Sequence, residues 1–145
     1  MSHDKIERTL RESPLFKHLS EQELDELRDA SRLETFDRGE TVVTEQNPVD
    51  ALYIVLQGRV RVWTRGPKGE VELKTMGPGA YFGEVSVMSG NDATATVEVN
   101  QGPAEFVAVT RDHLLELVDN DERLRKILQG VTLARAKDTI GKVFK

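Results

Sequence analysis

The chain has 145 residues, of which 38% are hydrophobic and 31% are charged, and its formal net charge is −5 at pH 7. This length allows one domain with a substantial core, and the composition is ordinary for a soluble globular protein. The absence of cysteine excludes disulfides, zinc–thiolate sites and thiol catalysis. The negative net charge disfavours a nucleic acid as a partner of the whole surface.

Nothing in the sequence predicts a membrane segment. The N-terminal stretch MSHDKIERTL is charged throughout, which is not the pattern of a signal peptide. The longest apolar run, Ala51–Leu56, is far shorter than the roughly 18 residues that a membrane span requires. We therefore expect a cytoplasmic protein without a membrane partner.

The first 32 residues are predicted to be helical. Apolar residues recur at helical spacing on both sides of Ser13-Pro14, where Pro14 fits the first turn of a new short helix. Ser20 and Glu23 have the spacing of a capping box that opens the next helix. We expect these helices to pack on the core and to have no ligand role.

Between residues 33 and 110 the pattern changes from helical spacing to alternation, which predicts strands. Ala51–Leu56 reads as a buried strand. Arg59–Arg65 places its arginines on one face, and Glu70–Met76 places its glutamates outward, so cross-strand ion pairs are expected. Short strands separated by Gly-containing turns, with a last strand predicted at Glu105–Val109, favour an antiparallel barrel or sandwich.

The stretch Gly77–Val97 is predicted to hold an anion. A turn rich in Gly and Pro leads into a short predicted helix at Phe82–Met88. Because Gly83 precedes that helix start, free backbone N–H groups would be presented there to an anion. The alternation in Ala93–Val99 then predicts a strand with one buried face.

Two helices are predicted after Thr110, which is expected to cap the first of them. The second runs from about Glu122 to Phe144, and its apolar residues form two stripes whose phase slips near Gly130. We expect one stripe to pack on the domain and the other to meet a partner helix or to cover a ligand. The stripes are Leu124, Ile127, Leu128 and Val131, then Leu133, Ala136, Ile140, Val143 and Phe144.

Several short motifs are each weak alone, but their common order and spacing are specific for one fold. They are Ser13-Pro14-Leu15-Phe16, Phe36-x-x-Gly39-Glu40, Leu52-Tyr53-Ile54-Val55, Gly58-x-Val60-x-Val62, Met76-Gly77-Pro78-Gly79, Phe82-Gly83-Glu84 and Ala95-Thr96-Val97. With them the sequence resembles the cyclic nucleotide-binding domain of the bacterial catabolite activator, the protein kinase A regulatory subunit and cyclic-nucleotide-gated channels. The resemblance implies a mainly β fold, an eight-stranded antiparallel β-roll of the jelly-roll (double-stranded β-helix) type.

The resemblance covers nearly the whole chain and implies a single domain. Its expected parts are N-terminal helices at residues 1–32, the β-roll at 33–110 and two C-terminal helices at 111–145. The implied function is a regulatory sensor that binds cyclic AMP or cyclic GMP and signals through the last helix. That helix would act as a lid over the base, as a homodimer interface, or as both. No cofactor is implied.

The resemblance also implies a binding site. Backbone N–H groups at the start of the short helix would hold the cyclic phosphate, Glu84 would accept a hydrogen bond from the ribose 2′-hydroxyl, and Thr94–Thr96 would close the pocket. The expected ligand-binding residues are Phe82, Gly83, Glu84, Val85, Ser86, Ala93, Thr94, Ala95 and Thr96. From the residues alone, Glu84 is equally explained as a helix-start carboxylate, and the threonines by ordinary strand propensity.

Ala93 departs from the family pattern, because the family places there an Arg that pairs with the cyclic phosphate. The sequence has no Lys or Arg between Lys74 and Arg111. An ionised partner contributes roughly 1.5–3 kcal/mol per hydrogen bond, so binding should weaken by about one to three orders of magnitude. Three readings follow: weak or atypical binding, a cation supplied by Arg61 or Arg65, or a degenerate pocket in a protein-interaction or dimerisation module.

An enzyme and a DNA-binding protein are both disfavoured. The histidines, His3, His18 and His113, lie outside the predicted strands, so a barrel enzyme with a histidine–metal site is excluded. No nucleophile–base pair is suggested, and we expect neither catalytic nor metal-binding residues. The family often carries a helix-turn-helix after the long helix, whereas this sequence reaches Lys145 within that helix, so no direct DNA binding is expected.

Overall fold

Antiparallel strands form one sheet that curls into a β-roll, with helices before and after it. The computed structural model describes the backbone of residues 2–143 and the side chains of residues 4–135, 137, 141 and 142. The elements in this part of the chain are α1 (Ser2–Glu12), α2 (Glu21–Asp29), β1 (Ser31–Phe36), β2 (Thr41–Val43), β3 (Ala51–Gly66), β4 (Gly69–Met76), β5 (Tyr81–Phe82), α3 (Glu84–Ser89), β6 (Thr96–Thr110), α4 (Arg111–Asn120) and α5 (Glu122–Val143).

The strand order is β1-β6-β3-β4, with β2 paired to β6 and β5 paired to β3, and every pair is antiparallel. This confirms the predicted β-roll with flanking helices. Over the described residues there are six strands rather than the expected eight, because β3 and β6 are long and bend instead of ending.

The bend of β3 lies at Gly58, where the predicted turn is a kink within a continuous strand. Gly58 has φ +83°, and a Cβ there would lie 2.8 Å from the Ala104 Cα, so no other residue fits. The β3–β6 register shifts on both sides of this point. Residues Glu105–Val109 are in a strand as predicted, but the turn predicted at Gly102-Pro103 is wrong, because that segment lies inside β6.

The core has two parts that share β3. Leu52 and Ile54 face the helices and join α1, α2, α4 and α5 in one apolar cluster. Tyr53 and Val55 point the other way into the roll, where they pack with Phe106. Since both faces of β3 are covered, its sequence is a continuous apolar run rather than an alternation.

The ends of the helices agree in part with the sequence. The capping box at Ser20 is present: the Glu23 N–H donates to Ser20 Oγ at 3.2 Å, and Glu23 Oε1 accepts from the Ser20 N–H at 3.0 Å. Thr110 precedes α4, but its hydroxyl donates to the Ala30 carbonyl at 2.6 Å and does not cap the helix. Thr110 therefore occupies the predicted N-cap position, but its side chain makes no capping hydrogen bond.

Helix α5 continues through Gly130 without a break. From the first predicted stripe, Leu124 and Leu128 are fully buried in the helix-side cluster and Ile127 packs against it. From the second stripe, Leu133 is 59% exposed, while the side chains of Ala136, Ile140, Val143 and Phe144 lie outside the described residues. No helix in the described range is long and apolar enough to cross a membrane.

The predicted cross-strand ion pairs are present on the outer face of the roll. Arg61 donates to Glu70 at 2.6 Å and to Glu98 at 2.7 Å, and these hydrogen bonds raise the pKa of its guanidinium. Trp63 lies half-buried between Arg61 and Arg65, whose guanidinium carbons are 5.4 and 5.9 Å from its ring centroid.

Candidate functional site

A small cavity of about 90 Å³ lies inside the roll beside the start of α3 and under α5. Its wall combines apolar strand residues, the turn into α3, the segment before β6 and one residue of α5. The lining residues are Val43, Val49, Val62, Leu73, Lys74, Met76, Phe82, Gly83, Glu84, Val85, Ser86, Ala93, Thr94, Ala95, Val97 and Arg135.

Gly83 sets the direction in which α3 begins. It has φ +96°, and a Cβ on it would lie 2.7 Å from the Ala51 carbonyl oxygen, so the turn requires glycine. The Val87 N–H donates to the Gly83 carbonyl at 3.0 Å, which closes the first turn of α3. The N–H groups of Glu84, Val85 and Ser86 belong to that first turn and have no partner within the helix.

Glu84 is a buried carboxylate at the wall of this cavity, with 1% of its surface exposed. Its Oε1 accepts a hydrogen bond from Arg135 Nη1 at 2.5 Å. Its Oε2 is buried and has no hydrogen-bond partner among the described residues. A buried carboxylate oxygen without a partner is costly, so this atom is suited to accept from a hydroxyl or N–H of a ligand.

Arg135 reaches the cavity from α5 and contacts two elements of its wall. Besides its ion pair with Glu84, its guanidinium carbon lies 4.9 Å from the centroid of the Tyr81 ring. Burial raises the pKa of the Tyr81 phenol, and the nearby Arg135 charge opposes that shift. Arg135 lines the cavity from α5, with 24% of its side chain exposed.

The segment before β6 is held in place by backbone and side-chain hydrogen bonds. Ala93 donates its N–H to the Asn47 carbonyl at 2.9 Å and accepts from the Gln46 N–H at 2.8 Å. Residues 93–95 are thus irregular, and the strand predicted from Ala93 begins instead at Thr96. The hydrogen bonds between Ala93 and the 46–47 turn stand in place of the strand pairing that was predicted there.

The two threonines of this segment differ in environment. Thr96 is buried, and its hydroxyl accepts from the Glu45 N–H at 3.0 Å. Thr94 is exposed at the cavity, and its carbonyl oxygen lies 3.3 Å from the Thr64 hydroxyl oxygen. Glu45 lies between Thr96 and Thr64. Its backbone N–H donates to Thr96, and its carboxylate accepts from the hydroxyl of Thr64 at 2.5 Å.

The structure brings most of the predicted ligand-binding residues to one cavity: Phe82, Gly83, Glu84, Val85, Ser86, Ala93, Thr94 and Ala95 line it. Thr96 is not part of the lining and supports the segment from behind. Arg61 and Arg65 lie on the outer face, where their charges are engaged away from the cavity.

The cations at the cavity wall are Lys74 and Arg135, and neither was singled out in the sequence. Arg135 is 51 positions from Glu84, and nothing local in α5 marks one arginine among several. Over the described residues, no group of three or more Asp, Glu or His side chains is placed to hold a metal ion.

A family model described as cyclic nucleotide-binding domain matches residues 33–121. Human cGMP-dependent protein kinase 2 is 27% identical over 124 residues, which are 83% of this chain and 16% of that protein. A CRP-like cAMP-activated global transcriptional regulator of Mycobacterium tuberculosis is 34% identical over 109 residues, or 72% of this chain and 46% of that protein.

Among solved structures, the regulatory domain of Toxoplasma gondii PKA, crystallised with cAMP, superposes with a TM-score of 0.73 at 26% identity. The match covers 79% of this chain and 43% of that one. The chain spans less than half the length of the curated relatives it matches. The similarity is therefore to one domain within larger proteins.

Proposed function

The chain belongs to the cyclic nucleotide-binding domain family, and from that premise we propose that it binds cyclic AMP or cyclic GMP as a regulatory sensor domain. The observation that carries the proposal is the buried, unpartnered Oε2 of Glu84 beside the N–H groups of the first turn of α3. A ribose hydroxyl donates to that oxygen, and the cyclic phosphate accepts from the N–H groups.

The proposed binding is weak, because the wall lacks an arginine at residue 93. Ala93 is buried and offers no charge to a phosphate. Lys74 and Arg135 are the cations of the described wall, and both come from other elements than the segment before β6. A signal then leaves through α5, which contacts both α3 and β4 next to the cavity.

Isothermal titration and thermal shift with cyclic AMP and cyclic GMP test this proposal, with Ala93→Arg as the diagnostic variant. Ala93→Arg should tighten binding by about one to three orders of magnitude, because a guanidinium adds charge-assisted hydrogen bonds to the phosphate. Ala93→Met, which adds bulk without charge, should not tighten binding. Absence of binding by the wild type and by Ala93→Arg at millimolar ligand would reject the sensor.

A second candidate is a protein-interaction or dimerisation module with a pocket that no longer binds nucleotide. The cavity of about 90 Å³ favours it, since ligand sites commonly measure about 300 Å³ or more. In that candidate a second copy would contact α5 at Leu133, which is 59% exposed. Sedimentation should then give a dimer that Leu133→Ser dissociates and Lys137→Ala leaves intact, whereas a monomeric wild type contradicts it.

A further inference from the structure

We propose that Glu45 ends strand β6 at Thr96 and so holds residues 93–95, the pocket segment, at the wall of the cavity. The inference rests on the nucleotide site proposed above and adds the residue that positions one side of it. In this arrangement Glu45 competes with the Thr94 carbonyl for the N–H group of Arg65. Glu45 is not among the residues that line the cavity, so it acts on a ligand only through the pocket segment.

The ladder between β3 and β6 stops where the pocket segment begins. Its last pair is Trp63 opposite Thr96. Continued by two residues in the same antiparallel register, the ladder would pair Arg65 with Thr94. The Thr94 carbonyl oxygen lies close to β3 even so, at 3.3 Å from Thr64 Oγ1. The end of the ladder thus depends on what the Arg65 N–H binds instead.

Glu45 occupies the position at which the ladder would continue. Its Oε1 accepts a hydrogen bond from the Arg65 N–H at 3.1 Å, and its Oε2 accepts from the Thr64 hydroxyl at 2.5 Å. The side chain is half-buried, and a carboxylate is a stronger acceptor than a backbone carbonyl. Glu45 therefore takes the N–H group that Thr94 needs for strand pairing.

The turn that carries Glu45 is also tied to both ends of the pocket segment. The Glu45 N–H donates to the Thr96 hydroxyl at 3.0 Å. The Gln46 N–H donates to the Ala93 carbonyl at 2.8 Å, and the Ala93 N–H donates to the Asn47 carbonyl at 2.9 Å. Gln46 has φ +72°, and such left-handed strain in a non-glycine residue persists only where the surrounding contacts impose it.

Without the Glu45 carboxylate, β6 should grow backward by two residues. The Thr94 carbonyl would accept from the Arg65 N–H, and the Thr94 N–H would donate to the Arg65 carbonyl, as in a hydrogen-bonded antiparallel pair. Thr94 and Ala95 line the cavity, so their entry into the sheet changes its wall. The apparent affinity for a ligand then falls with the fraction of molecules that keep the binding conformation.

Glu45→Ala tests this role by titration with cyclic AMP and cyclic GMP. The Kd should rise about five- to thirtyfold, because fewer molecules hold the pocket segment at the wall. Glu45→Gln keeps a neutral acceptor of the same size and should give an intermediate Kd, and it serves if Glu45→Ala fails to fold. The same comparison in the Ala93→Arg background keeps the larger Kd values measurable.

Glu40→Ala is the matched control for the loss of a carboxylate that holds a turn. Glu40 Oε1 accepts from the Asp37 N–H at 2.8 Å, and this turn is outside the described wall of the cavity. Glu40→Ala should therefore lower stability and leave the Kd unchanged.

Hydrogen exchange in the ligand-free protein separates this role from a general loss of stability. In Glu45→Ala the Thr94 amide should exchange more slowly than in the wild type, because the longer ladder gives it the Arg65 carbonyl as a partner. Loss of a residue that only stabilised the fold would speed exchange instead. Faster exchange of the Thr94 amide in both Glu45 variants would overturn the inference.

The two proposals fail in different ways. An unchanged or lower Kd for Glu45→Ala and Glu45→Gln overturns the positioning role and leaves the sensor intact. Absence of binding by the wild type and by Ala93→Arg at millimolar nucleotide overturns the sensor and, with it, the role of Glu45 in binding. Exchange of the Thr94 amide then still decides whether Glu45 ends β6.

Discussion

Gly83 joins β5 to α3 with a backbone conformation and a close contact that other residues do not tolerate. We expect Gly83→Ala to lower the free energy of unfolding by about 2–5 kcal/mol, as left-handed strain adds to overpacking against the Ala51 carbonyl. Gly79 is the matched control, with φ +92° and open space around its Cβ position within 4 Å. Gly79→Ala should cost about 1–2 kcal/mol from the strain alone. If urea denaturation gave equal losses of unfolding free energy for Gly83→Ala and Gly79→Ala, the contact with the Ala51 carbonyl would have no role.

Single residues also mark how far the site could be predicted from the sequence. The turn at Gly83 and the carboxylate at Glu84 were predicted, because a glycine before a helix start is a local signal. The partner of Glu84 was not, since Arg135 meets it only after the roll and α5 have docked. Thr96 shows the same limit: its alternation with Ala95 predicted a strand, but its hydroxyl is engaged by Glu45 from another loop.

At the scale of elements, Asp121 joins α4, α5 and the N-terminal turn. Its Oδ1 accepts from the Leu124 N–H at 3.0 Å, which caps α5, and its Oδ2 accepts from His18 Nε2 at 3.1 Å. Partial desolvation raises the pKa of the Asp121 carboxyl, but these hydrogen bonds outweigh it and lower that pKa. The carboxylate therefore stabilises the fold above about pH 4, and this contribution is lost as the pH falls through the lowered pKa.

We expect Asp121→Ala to lower the free energy of unfolding at pH 7 by about 1–2 kcal/mol. The difference from the wild type should shrink as the pH falls below 4 and through the lowered pKa of Asp121, because the protonated carboxyl loses its charge. Asp119→Ala, at an exposed position two residues earlier, should have little effect at either pH. Chemical denaturation at pH 7 and pH 3 measures the difference, and an equal loss at both values would contradict the role of the ionised group.

Element boundaries were predicted best where the signal was local. The capping box at Ser20 and the start of α5 after Asp121 follow from residues a few positions apart. Strand ends were predicted less well: Gly58 and Gly102-Pro103 have turn composition, but in β3 and β6 they are bends. A glycine permits either a turn or a kink. Which of the two forms depends on whether the neighbouring strand continues to pair on both sides of the glycine.

At the scale of the whole molecule, β3 belongs to both parts of the core. Leu52 packs with the helices on one face, and Tyr53 packs with Phe106 on the other. Loss of packing on either face therefore destabilises the same strand. We expect the domain to unfold in one cooperative transition.

Leu52→Ala and Phe106→Ala test this cooperativity from the two sides. Each should lower the free energy of unfolding, by about 2–5 and 3–5 kcal/mol respectively, because both side chains are fully buried. In both variants, the urea midpoint of the helical circular dichroism signal and that of the protection of β6 amides should fall to the same lower urea concentration. Separate transitions in either variant would mean that the helices and the roll unfold independently.

Trp63 has a consequence for following this protein by its intrinsic fluorescence. It is the single tryptophan of the sequence, and it lies between two guanidinium groups on the outer face, away from the cavity wall. Its emission should therefore respond when the β3–β4 ribbon melts and stay constant while the pocket changes. A second tryptophan at the exposed Leu133 would add a spectroscopic reporter for α5, so that one spectrum separates loss of the fold from movement of the helix.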